Sequence, residues 1–215
     1  MFHDIPERVN ARLRHLEGMD AADRQDGTLK ANRLRQVSRH TGQFLALLAA
    51  AAPRGSILEI GTSGGYSTLW RYLAARTKGD NIITFEILPE KAALARQTFE
   101  IAGVASTVQV VEGDARTHLG EYRDVAFCFL DAEKDTYSDC YQQVLPLLLP
   151  GGFIVADNVI SHEAELSPFI HFALDDEHVD AMVVPVGKGL LIARRRSADS
   201  GQASASPAAW PGNRK

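Results

Sequence analysis

Residues 57–67, Ile57-Leu58-Glu59-Ile60-Gly61-Thr62-Ser63-Gly64-Gly65-Tyr66-Ser67, decide the fold. A short β-rich run meets a glycine-rich turn, and Tyr66, Leu69, Trp70 and Leu73 then recur at the i, i+3, i+4, i+7 spacing of a one-faced helix. In open α/β sheets a turn of this kind sits at the carboxyl end of the first strand. There glycine lets the backbone close on a ligand. Taken alone, the same turn also serves as a plain tight connection.

Working outward, β-rich runs alternate with longer helical stretches, the pattern of a parallel sheet covered on both faces. The expected strands are 57–60, 82–85, 108–111, 125–130, 153–156, 181–186 and 189–193. Pro89 opens one intervening helix and Gly103 closes it, following the preference for first-turn proline and terminal glycine. Only Gly187 and Lys188 separate the last two runs, too few for a helical crossover, so that pair reads as an antiparallel hairpin. The fold class is therefore α/β, with a mostly parallel seven-stranded sheet ending in an antiparallel hairpin. Residues 1–52 read as an N-terminal helical segment covering the site, 53–196 as the core, and 197–215, rich in Ser, Ala, Gly and Pro, as a disordered tail.

Composition narrows the function. The 215 residues are 45% hydrophobic, enough for one substantial core, and the formal charge of -4 is spread along the chain. No basic tract is present that could neutralise several phosphates, so a small molecule is expected and nucleic acid is not. Met1–Arg8 is polar where a secretory leader would be apolar, so none is expected. Phe44–Ala52 is far shorter than the roughly 20 residues of a membrane span. Cys128 and Cys140 show no disulfide or zinc spacing, which fits a reducing cytoplasm.

Glu86 closes the second strand, where a carboxylate can accept from both hydroxyls of a ribose. A dehydrogenase would use the same acid. However, Ser63 stands where the second glycine of a dinucleotide fingerprint would cradle a pyrophosphate, so a nucleoside without one is the better fit. After the third strand, Asp114 or backbone near Ala115 could reach an adenine amino group, or Asp114 could be a solvated turn. Asp131 after the fourth strand, with Asp157 and Asn158 after the fifth, brings three oxygen donors toward the ligand face, a set suited to a hard divalent cation. Singly, each is as readily a helix cap. Lys134, three residues past Asp131, can turn its amine back toward them; burial near a cation lowers a lysine pKa, as a general base requires.

With these residues in view, the chain resembles the cation-dependent O-methyltransferases, the family of catechol O-methyltransferase and the plant caffeoyl-CoA O-methyltransferases. The resemblance runs from about Val37 to Arg194. It is carried by Gly42-Gln43-Phe44-Leu45, Glu59-x-Gly61-x-x-x-Gly65-Tyr66-Ser67, Glu86, Ala102-Gly103-Val104, Asp131-x-x-Lys134 and Asp157-Asn158-Val159. It implies a class I methyltransferase fold and S-adenosylmethionine held by Val37, Glu59, Gly61, Gly65, Ser67, Glu86, Asp114, Ala115 and Asp131. It also implies magnesium, or another divalent ion such as manganese or calcium, on Asp131, Asp157 and Asn158, with Lys134 as the base. The acceptor would be a small molecule carrying a hydroxyl, one of a vicinal pair as in a catechol-like phenol; a homodimer is expected. The chain also departs from the catechol enzyme. Ala132-Glu133 replaces its His-Trp, Ala115 replaces a serine at the adenine, and Met182 falls near its second acidic contact. The alternatives are a metal-independent methyltransferase or another nucleoside-using transferase on the same fold.

Overall fold

A computed structural model describes residues 1–29 and 32–197. Helices α1 (Glu7–Asp23) and α2 (Arg39–Ala51) lead into an alternating core. That core runs β1 (Ser56–Ile60), α3 (Tyr66–Lys78), β2 (Ile82–Glu86), α4 (Pro89–Ala102), β3 (Val108–Glu112) and β4 (Val125–Leu130). It continues with α5 (Tyr137–Val144), β5 (Leu148–Ala156), α6 (Glu163–Leu174), β6 (Val179–Val184) and β7 (Leu190–Arg195). The seven strands lie in the order β3-β2-β1-β4-β5-β7-β6. All pairs are parallel except those of β7, which runs antiparallel to both β5 and β6.

Each layer follows from the side chains. Every residue of β4 is buried, as a central strand covered on both faces demands. The predicted stripe of α3 is buried at Tyr66, Leu69, Trp70 and Leu73, and joins α1, α2 and α4 in one apolar cluster. Tyr137, Tyr141, Phe169 and Ala173 from α5 and α6 fill a second cluster against the other face. The strand order reverses between β1 and β4, and at such a switch point the loops diverge and leave a crevice at the carboxyl ends. Gly61, Asp131 and Asp157 all follow strands that end there.

Three sequence expectations shift. Pro185 has no N–H to give a ladder, so β6 stops at Val184 and starts two residues earlier than predicted, which leaves a five-residue connection, 185–189, to β7. Strand β5 begins at Leu148 rather than Phe153, with a register shift where Gly151 and Gly152 pass the edge of β4. The N-terminal segment is not helical throughout. Between α1 and α2, residues 33–37 form an irregular strap that turns at Arg35, where φ is +49, because Asp23 and Asp20 in the last turn of α1 accept the N–H groups of Leu34 and Gln36 at 3.0 and 3.3 Å. Beyond Ser197, the predicted tail lies outside the described residues. No helix among the described residues is long and apolar enough to cross a membrane.

Candidate active site

The crevice is a cleft of about 340 Å³, bounded by the strap and by the loops that follow β1 to β5. Gly61 sets its first wall. Its φ is +100, and a side chain there would collide with the Asp131 carbonyl of the neighbouring loop. Glycine thus lets the loops after β1 and β4 lie against each other, with Asp131 N donating to Ile60 O at 2.9 Å. Across the opening, Ser63 Oγ donates to Leu34 O at 2.8 Å and Lys91 Nζ to Arg33 O at 3.1 Å, which ties the strap down and places Val37 on the lining.

Glu86 is 7% exposed and lines the cleft. Its Oε2 accepts from Ser63 N at 2.7 Å and its Oε1 from Leu88 N at 3.0 Å, so two backbone donors fix the carboxylate while its remaining lone pairs stay available to a diol. Ser67, Asp114, Ala115 and Asp131 are on the lining too. The Asp114 carboxylate caps the 115–117 turn and chelates Arg116 at 2.7 Å, and backbone near Ala115 offers a neutral edge beside it. The Arg116 bonds hold the Asp114 pKa below the usual carboxylate range.

Glu59 and Gly65 lie behind the wall rather than on it. The Glu59 carboxylate is wholly buried, accepts from Ser67, Thr68 and, at 2.7 Å, Thr84, and pairs with the equally buried Arg71. With its oxygens thus occupied, it orients Ser67 instead of facing the cleft. The Arg71 guanidinium meets Glu59 as a charge contact rather than through aligned hydrogen bonds, and its other face lies 4.8 Å over the Phe129 ring. Gly65 caps α3 in a left-handed conformation and packs on Phe99.

At the other end, Asn158 Nδ2 donates to Asp131 Oδ1 at 2.8 Å, and Lys134 Nζ lies 3.6 Å from the same oxygen. Asp157 is 4% exposed, stands just behind the lining, and has an Oδ1 with no hydrogen-bond partner. Burial, with Asp131 nearby, pushes the Asp157 pKa up to about 7, and burial raises Asp131 against the pull of Lys134 and Lys188. Burial also lowers Lys134, opposed by Asp131 and Asp157. Asp157, desolvated and with an orphaned oxygen, makes no ion pair among the described residues, and a divalent cation would supply the missing charge. The three oxygen donors therefore fit such an ion, with the Asn158 amide N–H holding the positive pole toward Asp131 here.

Tyr137 was missed by the sequence reading. Its hydroxyl accepts from Lys134 Nζ at 2.7 Å and donates to Asp157 O at 3.1 Å, anchoring the lysine to the end of β5. The i, i+3 spacing from Lys134 was the available signal. Lys188, read only as a turn residue, and His162 also line the cleft.

A profile described as O-methyltransferase matches residues 21–196 of the chain. The chain belongs to this O-methyltransferase family. A catechol O-methyltransferase of Niastella koreensis is 40% identical over 129 residues, covering 58% of each chain. The chain thus spans less than two thirds of that relative's length. Caffeoyl-CoA O-methyltransferase 2 of Zea mays is 30% identical over 187 residues, 75% of this chain and 70% of the relative. Among solved structures, an O-methyltransferase from Bacillus cereus in complex with SAH superposes with a TM-score of 0.70 at 27% identity, over 86% of this chain and 91% of that one. The sheet order and antiparallel seventh strand are thus those of a class I methyltransferase fold.

Proposed function

We propose that the chain is an S-adenosylmethionine-dependent O-methyltransferase that uses a divalent cation to methylate one hydroxyl of a vicinal pair on a small molecule. The observation that carries this reading is the buried Asp157, with one carboxylate oxygen unanswered, beside Asn158 and the half-buried Asp131, at the far end of a cleft whose near end holds Glu86. The catechol and caffeoyl-CoA relatives and the SAH-bound neighbour support it.

The sulfonium of S-adenosylmethionine carries an electrophilic methyl group, so the protein must chiefly align an oxygen nucleophile and take its proton. Glu86 holds the ribose diol, backbone at Ala115 meets the adenine, and the strap at Val37 closes over the nucleoside. Asp131, Asp157 and Asn158 would hold the cation, magnesium or a similar hard ion such as manganese or calcium, which when bound would lower the pKa of the acceptor hydroxyl. Lys134 takes the proton, its amine aimed by Tyr137 and the Ala132 carbonyl at 2.7 and 2.9 Å. Near-attack alignment of this kind can contribute up to about 7–11 kcal/mol. A reducing cytoplasm and a homodimer belong to the same proposal, and the two buried free cysteines fit the former.

Lys134 and Asn158 already answer Asp131 within the chain, an observation that favours a metal-independent methyltransferase as the second reading. The test is transfer of a labelled methyl group from S-adenosylmethionine to a panel of vicinal diols and their monohydroxy counterparts. Transfer confined to the diols is expected. No binding of S-adenosylmethionine by calorimetry, or equal transfer to monohydroxy acceptors, would overturn the proposal.

A further inference from the structure

The acceptor end of the cleft holds a cation that the proposed reaction does not use. Lys188 lies in the connection between β6 and β7 and lines the cleft. Its backbone is fixed, because its carbonyl accepts the N–H groups of Ile160 and Ser161 at 3.1 and 3.0 Å, and Val159 N donates to Gly189 O at 3.1 Å. Gly189, at φ +92, packs so tightly on Ile160 that no side chain fits there. The turn is therefore clamped to the segment that follows Asp157 and Asn158, and only the four-carbon stem of Lys188 is free to move.

The other cations nearby are engaged. Arg35 pairs with Glu133 at 3.1 Å, Lys134 is held by Tyr137 and the Ala132 carbonyl, and Arg116 is shared by Asp114 and Asp139. Lys188 makes no ion pair among the described residues, although its charge is felt at both Asp131 and Asp157. Once those two carboxylates hold a cation, the Lys188 ammonium faces the cleft with no anion to answer it. On the loop after β4, Ala132 and Glu133 offer no ring on which an aromatic acceptor could stack, so charge is the stronger handle available there.

We propose that Lys188 binds a carboxylate on the methyl acceptor, so that the substrate class is a vicinal diol bearing a single negative substituent. The inference rests on the methyl-transfer reading and adds the charge of the acceptor to it. One ammonium matches one carboxylate; a phosphate dianion calls for a second free cation or a bidentate guanidinium, and the guanidinium of Arg35 is already committed. His162, half-buried on the same lining with Nδ1 3.0 Å from Ser161 Oγ, has its other ring nitrogen left for a polar contact with the same group.

Calorimetry on the full chain, saturated with S-adenosylhomocysteine and magnesium, compares catechol with 3,4-dihydroxybenzoate, which share the diol and differ by the carboxylate. The carboxylated diol is expected to bind about tenfold more tightly, the low end for a charge-assisted contact on an exposed lysine. Lys188→Met should weaken binding of the carboxylated diol about tenfold more than that of catechol, and Lys188→Arg should keep most of the preference. Equal affinity for the two diols in the unmodified chain, equal loss in Lys188→Met, or no binding of the carboxylated diol overturns the proposal. Methyl transfer is read separately. A carboxylate preference that depends on Lys188, with no transfer to either diol, would sink the proposed function and leave the anion site standing.

Discussion

Glu59 and Glu86 lie near the carboxyl ends of the neighbouring strands β1 and β2, and the groups around each carboxylate divide their work. Glu59 faces three hydroxyls and a buried guanidinium, and a buried charge pair is tolerated only when its remaining lone pairs are met in this way. It is a strut beneath Ser67. Glu86 meets two backbone N–H groups that leave it facing the cleft. Replacing Glu86 with Ala is expected to lower S-adenosylmethionine affinity about 10–100-fold, corresponding to a charge-assisted bond of roughly 1.5–3 kcal/mol; unchanged affinity by calorimetry would remove it as the ribose ligand. Lys134→Ala is expected to lower turnover by about 10²–10⁴ while cofactor affinity stays near normal, the usual loss for a general base. Rapid-quench turnover within a few-fold of the unmodified chain would move the base elsewhere. Asp131, Lys134, Asp157 and Asn158 could be read in the sequence because each follows a strand end at short spacing. The burial of Glu59 could not, since it depends on Arg71 and Thr84, brought in from a helix and a neighbouring strand.

At the scale of elements, the site rests on close approaches that only small residues allow. Helices α2 and α3 meet where Gly42 lies against the Trp70 indole, and a methyl group at Gly42 would clash with the edge of the ring. Gly42→Ala is therefore expected to destabilise the chain by about 1–3 kcal/mol, the cost of overpacking a filled core. Gly18, exposed in α1 with nothing within 4 Å of the built side chain, is the control. Gly18→Ala should stabilise by about 0.5–1 kcal/mol through helix entropy. Urea unfolding of the two variants checks both signs, and a neutral Gly42→Ala would show that Trp70 can give way. Periodicity made α3 and the parallel strands legible. The strap at 33–37 was not, because its path is set by side-chain acceptors on α1 and by Ser63, Lys91 and Glu133 rather than by any local pattern.

Across the whole molecule, the sheet order places the nucleoside end and the acid pair on opposite sides of one switch point. The β1 and β2 loops supply Glu86 and its backbone donors; the β4 and β5 loops supply Asp131, Asp157, Asn158 and Lys134. Strand alternation in the sequence already implied the sheet. The charge balance of the acid pair emerged only once burial was known, because desolvation leaves Asp157 wanting a cation. The most direct measurement is methyl transfer before and after chelation, with manganese binding followed in parallel by electron paramagnetic resonance. Chelation should abolish transfer while leaving the fold and cofactor affinity intact, magnesium should restore it, and Asp157→Ala should bind manganese at least about tenfold more weakly, since a hard ion held by few carboxylates cannot spare one. Full transfer after chelation, with no manganese bound, would contradict the account and leave Asp131 and Asp157 as contacts of a metal-independent methyltransferase.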